Sequence, residues 1–312
     1  MKIAIIGRTK TLLNNAKRLL ENNHEIALCI TCKEAPEYTV TNKDFEQFSL
    51  SNNIPFIYTS KINTSNIIER ILSVGEIDIG ISMNFVNIIQ QKVIDLFPLG
   101  ILNVHAGDLP KYRGNAPIAW ALLNKEEKIG LCVHKMIGGE LDSGDIIAKT
   151  FFSVSLKTKI EEVFQWVELT TPELVILAVN QLSNNPDYFL EKQSKDPMDI
   201  LRCYPRLPQD GKINWSSDAE DIIRLINVSG KPFSGAFTFL EGEKIIIEDA
   251  ELFHDDEPWL GIPGQIVKVN ANGSIIALTG SRKIQVNQIR LSITEKAFPP
   301  SKKIKSVRKR FE

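Results

Sequence analysis

The chain of 312 residues has no long hydrophobic run, although hydrophobic residues make up 43% of it. None of its apolar stretches approaches the roughly 18 residues that a membrane-spanning helix needs. The first apolar run, residues 2–7, is too short and ends too abruptly for a secretory signal peptide. The sequence therefore predicts a cytoplasmic protein with no membrane partner.

An excess of charge of one sign is also missing, because 37 basic residues stand against 38 acidic ones and the formal net charge is −1. A balanced charge gives the protein no general attraction to nucleic acids or to membranes. The most basic stretch, residues 302–310, is interpreted as a solvated tail.

Cysteine is scarce, with four residues in the whole chain. Cys29 and Cys32 form a CxxC motif, which could indicate a redox or zinc site. The motif lies in an apolar run, and no second CxxC or histidine pair completes a zinc-binding set. We therefore expect both cysteines to be structural strand residues, and we expect no metal.

Glycine is nearly absent from the turn after the first apolar run, where residues 7–11 contain one. A dinucleotide-binding turn needs several glycines so that the backbone can approach a pyrophosphate, and a Walker loop needs its own glycine pattern. The sequence therefore argues against NAD, FAD or ATP phosphates at this turn.

Short apolar runs alternate with helical patterns in the first half of the chain. Alternation of this kind predicts βαβ units and a Rossmann-like, mostly parallel sheet with helices on both faces, which places the fold in the α/β class. Long helices are predicted at 9–22 and 160–182. Strands are predicted at 2–7, 24–31, 54–59, 77–83, 100–106, 130–136 and 145–154.

The character of the sequence changes near residue 200. A polar, proline-containing stretch at 183–199 is typical of a linker. Short strands with tight turns follow it, which predicts a small OB-like β domain. We predict a Rossmann-like catalytic domain over 1–195 and a C-terminal OB-like domain over 196–312. The second domain has a helix at 218–227 and strands at 235–240, 244–252, 264–270, 274–279 and 283–291.

Polar residues end one of the predicted strands. Asn103 and His105 are two positions apart, so both side chains lie on one face of the strand. Active sites of parallel sheets lie at the carboxyl ends of the strands. Asp142, in a glycine-rich turn after another strand, could orient the imidazole as the third member of a triad does. Spacing alone leaves a structural, hydrogen-bonded histidine as the alternative.

These residues form a recognisable motif together with the Tyr-Arg-Gly of residues 112–114 and the Leu-Asp-Ser-Gly-Asp of residues 141–145. The motif resembles the formyltransferases that use N10-formyltetrahydrofolate. This superfamily includes enzymes acting on methionyl-tRNA, on glycinamide ribonucleotide and on amino sugars. The resemblance covers most of the chain, and it implies a formyltransferase with N10-formyltetrahydrofolate as co-substrate, no metal and no covalent enzyme intermediate.

The resemblance also implies roles for the three polar residues. Asn103 would donate hydrogen bonds to the formyl oxygen as it becomes an oxyanion. His105 would assist proton transfer as the amine attacks. Asp142 would hold and tune His105. A folate-binding paralogue without activity is the non-enzymatic alternative, and the intact set of three argues against it.

Two further segments match the family's folate-binding parts. Residues 82–89 occupy the position of the pterin-binding loop, and the turn at 137–142 fits the second wall of the folate site. Ordinary loop structure is an equal alternative for each single residue. The expected folate contacts are Asn87, Ile88, Ile89, Ile137, Gly138 and Gly139.

The acceptor has to be chosen from residues around this motif. Arg113 is assigned to the acceptor side, since a guanidinium suits phosphate or carboxylate. Residues 116–124, with Trp120, are similar to the aminoarabinose formyltransferase of lipid A modification. Relatives often carry Ser-Leu-Leu-Pro where this chain has Gly-Asp-Leu-Pro at residues 107–110. We interpret Asp108 as a turn residue rather than a substrate contact.

The loop at 33–46 carries more acidic than basic residues, which argues against a tRNA. The expected acceptor is therefore the amine of a dTDP- or UDP-linked amino sugar for lipopolysaccharide or O-antigen biosynthesis, with no nucleic acid partner. Methionyl-tRNA is the alternative acceptor. Dimerisation, sugar-nucleotide binding and simple stabilisation remain open as roles of the C-terminal domain, and a homodimer is a further expectation.

Overall fold

The structure, a computed structural model, describes residues 1–36, 38–255, 257–294 and 296–312. It divides into two compact units, each built from several chain segments, so the domain boundary at residue 195 remains a prediction. Unit 1 comprises Met1–Pro117, Lys128–Phe152 and Phe164–Tyr204, and unit 2 comprises Ile118–Glu127, Ser153–Val163 and Pro205–Glu312.

A seven-stranded sheet forms the centre of unit 1. The strands up to residue 203 are β1 (Lys2–Gly7), β2 (Glu25–Thr31), β3 (Phe56–Tyr58), β4 (Ile79–Met83), β5 (Ile101–His105), β6 (Arg113–Gly114), β7 (Lys128–Lys135), β8 (Ile146–Ser153) and β9 (Arg202–Cys203). The order in the sheet is β3-β2-β1-β4-β5-β7-β8, while β6 pairs with β9. Strands β1 to β5 pair in parallel and β7 pairs antiparallel to β5. The prediction of a mostly parallel α/β sheet is confirmed.

Helices connect these strands. They are α1 (Lys10–Glu21), α2 (Asn42–Ser51), α3 (Ser65–Leu72), α4 (Gln91–Ile94), α5 (Pro117–Leu123) and α6 (Ile160–Asn184). Helix α1 shows why they form here. The Thr9 hydroxyl accepts a hydrogen bond from the backbone N–H of Leu12 at 3.2 Å and so caps the first turn. Leu12, Ala16 and Leu19 are fully buried and lie on one face of the helix.

Antiparallel strands form the sheet of unit 2. Helix α7 (Ala219–Ser229) precedes β10 (Ala236–Leu240), β11 (Glu243–Phe253), β12 (Ile266–Val269), β13 (Ile275–Leu278) and β14 (Lys283–Leu291). Their order is β10-β11-β14-β13-β12. The Asn272-Gly273 turn joins β12 to β13, and Gly273 has the positive φ of 92° that this turn requires. The prediction of a β-rich C-terminal part is confirmed.

The basic C-terminal stretch is folded, so its interpretation as a solvated tail is wrong. Ile304 and Phe311 are buried in the core of unit 2. The Phe311 ring stacks on the Trp215 indole with centroids 4.9 Å apart. The many charged residues drew attention away from these two apolar residues. Burial of their side chains stabilises the folded position of the segment. Within the described residues, no helix is both long and apolar enough to cross a bilayer.

Candidate active site

The carboxyl end of β5 brings the first polar residues together. Asn103 and His105 lie on this strand, and β7 runs antiparallel beside it with His134 directly opposite Asn103. Residues that face each other in an antiparallel pair project to the same side of the sheet. Three nitrogen-bearing side chains therefore meet on one face, and the His105 and His134 rings are 6.5 Å apart between centroids.

Asp142 completes this cluster from the turn between β7 and β8. Its Oδ1 accepts a hydrogen bond from Nδ2 of Asn103 at 3.2 Å, and its Oδ2 lies 3.6 Å from Nδ1 of His105. The backbone N–H of Gly114 also donates to Oδ2, at 2.9 Å. The Asp142 side chain is 8% exposed. The structure thus places the three predicted residues within contact of one another.

The buried carboxylate of Asp142 keeps its charge. Burial alone would raise the pKa of this carboxyl, because desolvation disfavours the ionised form. The two imidazoles of His105 and His134 and the hydrogen bond from Gly114 outweigh burial and hold the pKa well below its usual range. A negative charge is therefore fixed beside both rings at neutral pH.

The tautomer of His105 follows from its second contact. Its Nε2 lies 2.7 Å from the backbone carbonyl oxygen of Tyr112, and a carbonyl oxygen only accepts. Nε2 therefore carries a hydrogen, and Nδ1 is the ring nitrogen that faces Asp142. Gly107 leaves room for this ring, since a Cβ at that position would lie 2.6 Å from Nε2.

His134 is the residue that sequence reasoning missed. It is 1% exposed, its Nδ1 lies 2.9 Å from the carbonyl oxygen of Lys135, and its Nε2 lies 3.4 Å from Oδ1 of Asp142. The available signal was its place on the strand next to β5, in a chain with four histidines. Only the register of β5 against β7 shows that it faces Asn103.

These neighbours fix the amide of Asn103. Its Nδ2 must face Asp142, because a carboxylate oxygen can only accept. The same nitrogen lies 3.3 Å from Nε2 of His134. Nε2 of His134 also lies 3.4 Å from Oδ1 of Asp142, so the amide, the imidazole and the carboxylate form one cluster.

The two predicted folate segments lie side by side. The backbone N–H of Gly139 donates to the carbonyl oxygen of Ile89 at 3.3 Å. The side chain of Asn87 donates to Ser60, and Ile88 is 48% exposed, whereas Ile89 is buried. Gly138 approaches Gln91 so closely that a Cβ would lie 2.1 Å from its backbone nitrogen. The two segments are therefore neighbours, and Ile137 beside them is partly exposed. Their contacts with folate remain predictions.

The two residues predicted to bind the acceptor, Arg113 and Trp120, belong to different units. Arg113, on β6 of unit 1, is half-buried and donates from Nε and Nη2 to the side-chain oxygen of Gln193. Burial lowers the pKa of its guanidinium, and the nearby Asp142 and Glu140 carboxylates oppose that effect. Trp120 lies half-buried on α5, in a segment of unit 2. Both acceptor roles remain predictions.

Asp108 has a partner that supports its interpretation as a structural residue. Its carboxylate lies 2.6 Å from the Nζ of Lys149 on β8, whose side chain is 11% exposed. The same ammonium group donates to the carbonyl oxygen of Leu109. This ion pair anchors the loop between His105 and Tyr112.

All four cysteines are free and buried. Burial raises the pKa of the Cys29 and Cys132 thiols to about 12 and that of Cys203 to about 11. Since the thiolate is the reactive form, we expect no reaction of the folded protein with Ellman's reagent at pH 8 and full reaction after denaturation. Rapid native labelling of one thiol would contradict the burial of that cysteine.

Comparison with known proteins identifies the family. Residues 1–179 match the Formyl transferase family and residues 207–300 match its C-terminal domain. Methionyl-tRNA formyltransferases of Acetivibrio thermocellus and of Sulfurihydrogenibium sp. are each 26% identical, over 93% and 97% of this chain and 91% and 94% of their own.

Solved structures show the same fold. WlaRD, a sugar 3N-formyl transferase solved in the presence of dTDP and 5-N-formyl-THF, has a TM-score of 0.66 at 20% identity. It matches 92% of this chain with 97% of its own. A HypX variant from Aquifex aeolicus has a TM-score of 0.60 at 15% identity over 96% of this chain. This chain spans about half of that protein, 48% of its length.

The interpretation of the acceptor as a nucleotide-linked amino sugar is wrong. The curated relatives, 24–26% identical over nearly the whole chain, are named for methionyl-tRNA, while the sugar enzymes appear as structural neighbours at lower identity. The expectation of an amino sugar depended on Trp120 and on the excess of acidic over basic residues in the loop at 33–46. Both are local features, and one residue of that loop, Glu37, lies outside the described residues.

Proposed function

This chain belongs to the formyl transferase family, and from that premise we propose that it transfers a formyl group to the amine of methionine esterified to tRNA. The family takes its formyl group from N10-formyltetrahydrofolate. The observation that supports methionyl-tRNA as the acceptor is sequence similarity to a methionyl-tRNA formyltransferase over 93% of this chain. The meeting of Asn103, His105 and Asp142 supports the reaction.

The proposed chemistry is attack of the amine nitrogen on the formyl carbon. A new C–N bond forms and the carbonyl π electrons move to oxygen, which becomes an oxyanion. Collapse of this centre breaks the bond to N10, and a proton reaches N10 of the departing tetrahydrofolate. Asn103 is the proposed hydrogen-bond donor to the oxyanion, since its Nδ2 is oriented by Asp142 before the substrate arrives.

His105 is the proposed proton carrier. Its Nε2–H is engaged with the Tyr112 carbonyl, so a proton from the attacking amine is taken up at Nδ1. The Asp142 carboxylate, 3.6 Å away, stabilises the imidazolium that forms. His105 then returns the proton to the leaving nitrogen. The folate ring is proposed to lie between the walls formed by the Ile89 and Gly139 segments, which contact each other.

A basic surface on unit 2 supports a nucleic acid acceptor. Lys302, Lys305, Arg308 and Arg310 are exposed, and the sequence between residues 301 and 311 contains no acidic residue. Two other lysines of this stretch pair with carboxylates of the hairpin between β10 and β11. None of the four exposed cations forms an ion pair with another described residue. A folded segment with unpaired cations suits the phosphates of an RNA backbone.

Neutralising this surface tests its role. We expect Arg308→Gln with Arg310→Gln to raise the KM for methionyl-tRNA roughly tenfold and to reduce the salt dependence of tRNA binding by roughly one to two units of slope. The KM for N10-formyltetrahydrofolate should stay unchanged. Lys268→Gln on β12 is the matched control, since Lys268 is also exposed. An unchanged KM for tRNA in the double variant would remove this surface from the proposal.

The acceptor group itself is tested with blocked substrates. The protein should transfer labelled formyl from N10-formyltetrahydrofolate to methionyl-tRNA. It should not transfer formyl to uncharged tRNA or to tRNA carrying N-acetylmethionine, because no free amine is present. Formylation of uncharged tRNA would contradict the methionine amine as the acceptor.

A further inference from the structure

A glutamine from the polar stretch between α6 and β9 enters the candidate active site. Residues 183–199 have the composition of a linker, and most of them are exposed. Gln193 is the exception, at 7% exposure. A polar side chain that is buried in an exposed stretch requires partners for its hydrogen-bonding groups.

The amide of Gln193 is fully engaged with unit 1. Its Nε2 donates to the backbone carbonyl oxygens of Asp142 at 2.9 Å and Gly144 at 2.6 Å. Its Oε1 accepts from Nε and Nη2 of Arg113 at 3.2 and 2.7 Å. Two carbonyls on one side and a guanidinium on the other leave a single orientation for the amide.

The turn that Gln193 holds is strained. Asp142 has a φ of +51°, a left-handed conformation that is unfavourable for most residues other than glycine. Two residues later, Gly144 passes so close to Lys135 that a Cβ would lie 1.9 Å from its carbonyl oxygen. Such a conformation persists only where the surroundings fix it. The two hydrogen bonds from Gln193 do so at both ends of the Asp142–Gly144 segment.

The guanidinium of Arg113 bonds the same Gln193 amide that holds the Asp142–Gly144 turn. Among the described residues, no carboxylate lies within ion-pair distance of its guanidinium, which donates hydrogen bonds to the Gln193 side chain and to the Ser194 carbonyl. Its direct partner is a neutral amide, and the Asp142 and Glu140 carboxylates act on the guanidinium only from a longer distance. An anionic group that bound Arg113 would therefore change the hydrogen bonds between Arg113 and Gln193, and the amide of Gln193 also holds the Asp142 backbone.

We propose that Gln193 is a positioning residue, which keeps the Asp142 carboxylate against His105 and couples that placement to Arg113. The inference rests on the proposed role of Asp142 in formyl transfer. Gln193 touches no reacting atom in this scheme. Its effect on turnover passes through Asp142, and that dependence is what an experiment can detect.

A double-mutant cycle measures this dependence. Gln193→Met keeps the volume and removes all four hydrogen bonds. In single-turnover formylation with enzyme in excess, we expect it to slow transfer roughly 10- to 100-fold in the wild-type background. In the Asp142→Asn background the further loss should be less than about twofold. Gln47→Met is the matched control, because Gln47 is exposed and its side chain donates to the nearby Ser51 hydroxyl. Equal losses in both backgrounds, or no loss, would overturn the proposal.

A second measurement needs no acceptor, so it separates this inference from the proposed function. The ring nitrogens of the four histidines can be followed by NMR in protein labelled with 15N-histidine. Gln193→Met should shift the His105 and His134 signals and leave the His24 signal unchanged. If methionyl-tRNA is not formylated but these signals shift, the acceptor proposal fails and the positioning role stands. Unshifted signals of His105 would overturn the positioning role.

Discussion

Replacing His105 with alanine is expected to lower kcat for formyl transfer by roughly 10²- to 10⁴-fold, the usual contribution of a general acid–base residue. Its Nε2 is engaged with the Tyr112 carbonyl, and its Nδ1 lies 3.6 Å from the buried Asp142 carboxylate. Without the ring, the attacking amine must lose its proton to water. The variant should bind 5-formyltetrahydrofolate, a stable analogue of the donor, as tightly as the wild type.

His24→Ala is the matched control, because His24 lies at the amino end of β2, where its Nδ1 faces the N-terminal amine at 3.5 Å. That variant should retain full activity. Turnover by His105→Ala equal to that of the wild type would remove His105 from the proposed mechanism. Loss of folate-analogue binding together with turnover would instead indicate that the ring supports the fold of the site.

Replacing Asn103 with alanine should lower kcat by roughly 10²- to 10³-fold, which is the range for removing one preorganised donor to an oxyanion. The KM for either substrate should change far less, because the hydrogen bond strengthens only as negative charge develops on the formyl oxygen. Its Nδ2 is already oriented by Asp142 at 3.2 Å, so no reorganisation is needed during the reaction.

Asn214→Ala serves as the control, since Asn214 is exposed and its side-chain oxygen accepts a hydrogen bond from the nearby Ser216 backbone. A loss in Asn103→Ala that appeared entirely as a raised KM would contradict the oxyanion role. It would show that Asn103 binds the ground state and the transition state equally well.

The elements of unit 1 were predictable because their sequence signals are local. Residues close in the sequence produce the apolar runs of β1 and β5 and the helical pattern of α1. The observed bounds of these elements differ from the predicted bounds by a few residues. Asn103 and His105 could be paired from the two-residue repeat of a strand. Their contact with Asp142 came from the family motif, since no local rule joins residues so far apart.

The rest of the site depends on contacts that sequence patterns do not specify. His134 faces Asn103 only because β7 pairs with β5 in one particular register. Gln193 belongs to a stretch with the composition of a linker, and its burial depends on the two carbonyls of the Asp142 turn. The C-terminal segment follows the same rule, because Phe311 is held by Trp215 and not by its charged neighbours.

The acceptor was the least predictable feature. The loop after β2 and Trp120 were interpreted together as signs of an amino sugar, and both are local features of the sequence. Exposed cations that suit a tRNA lie instead in the last residues of unit 2, where a run of charge alone predicted a tail. Surface electrostatics depends on which charges remain unpaired after folding, and the sequence does not show the pairing.

A competition assay tests the central claim most directly. The protein is mixed with N10-formyltetrahydrofolate carrying a 13C-labelled formyl group, methionyl-tRNA and an equal concentration of dTDP- and UDP-linked amino sugars. Mass spectrometry then locates the label. We predict that it appears as N-formylmethionine on the tRNA with the wild type and is strongly reduced with Asp142→Asn. Label on an amino sugar, with none on methionine, would contradict the proposed acceptor.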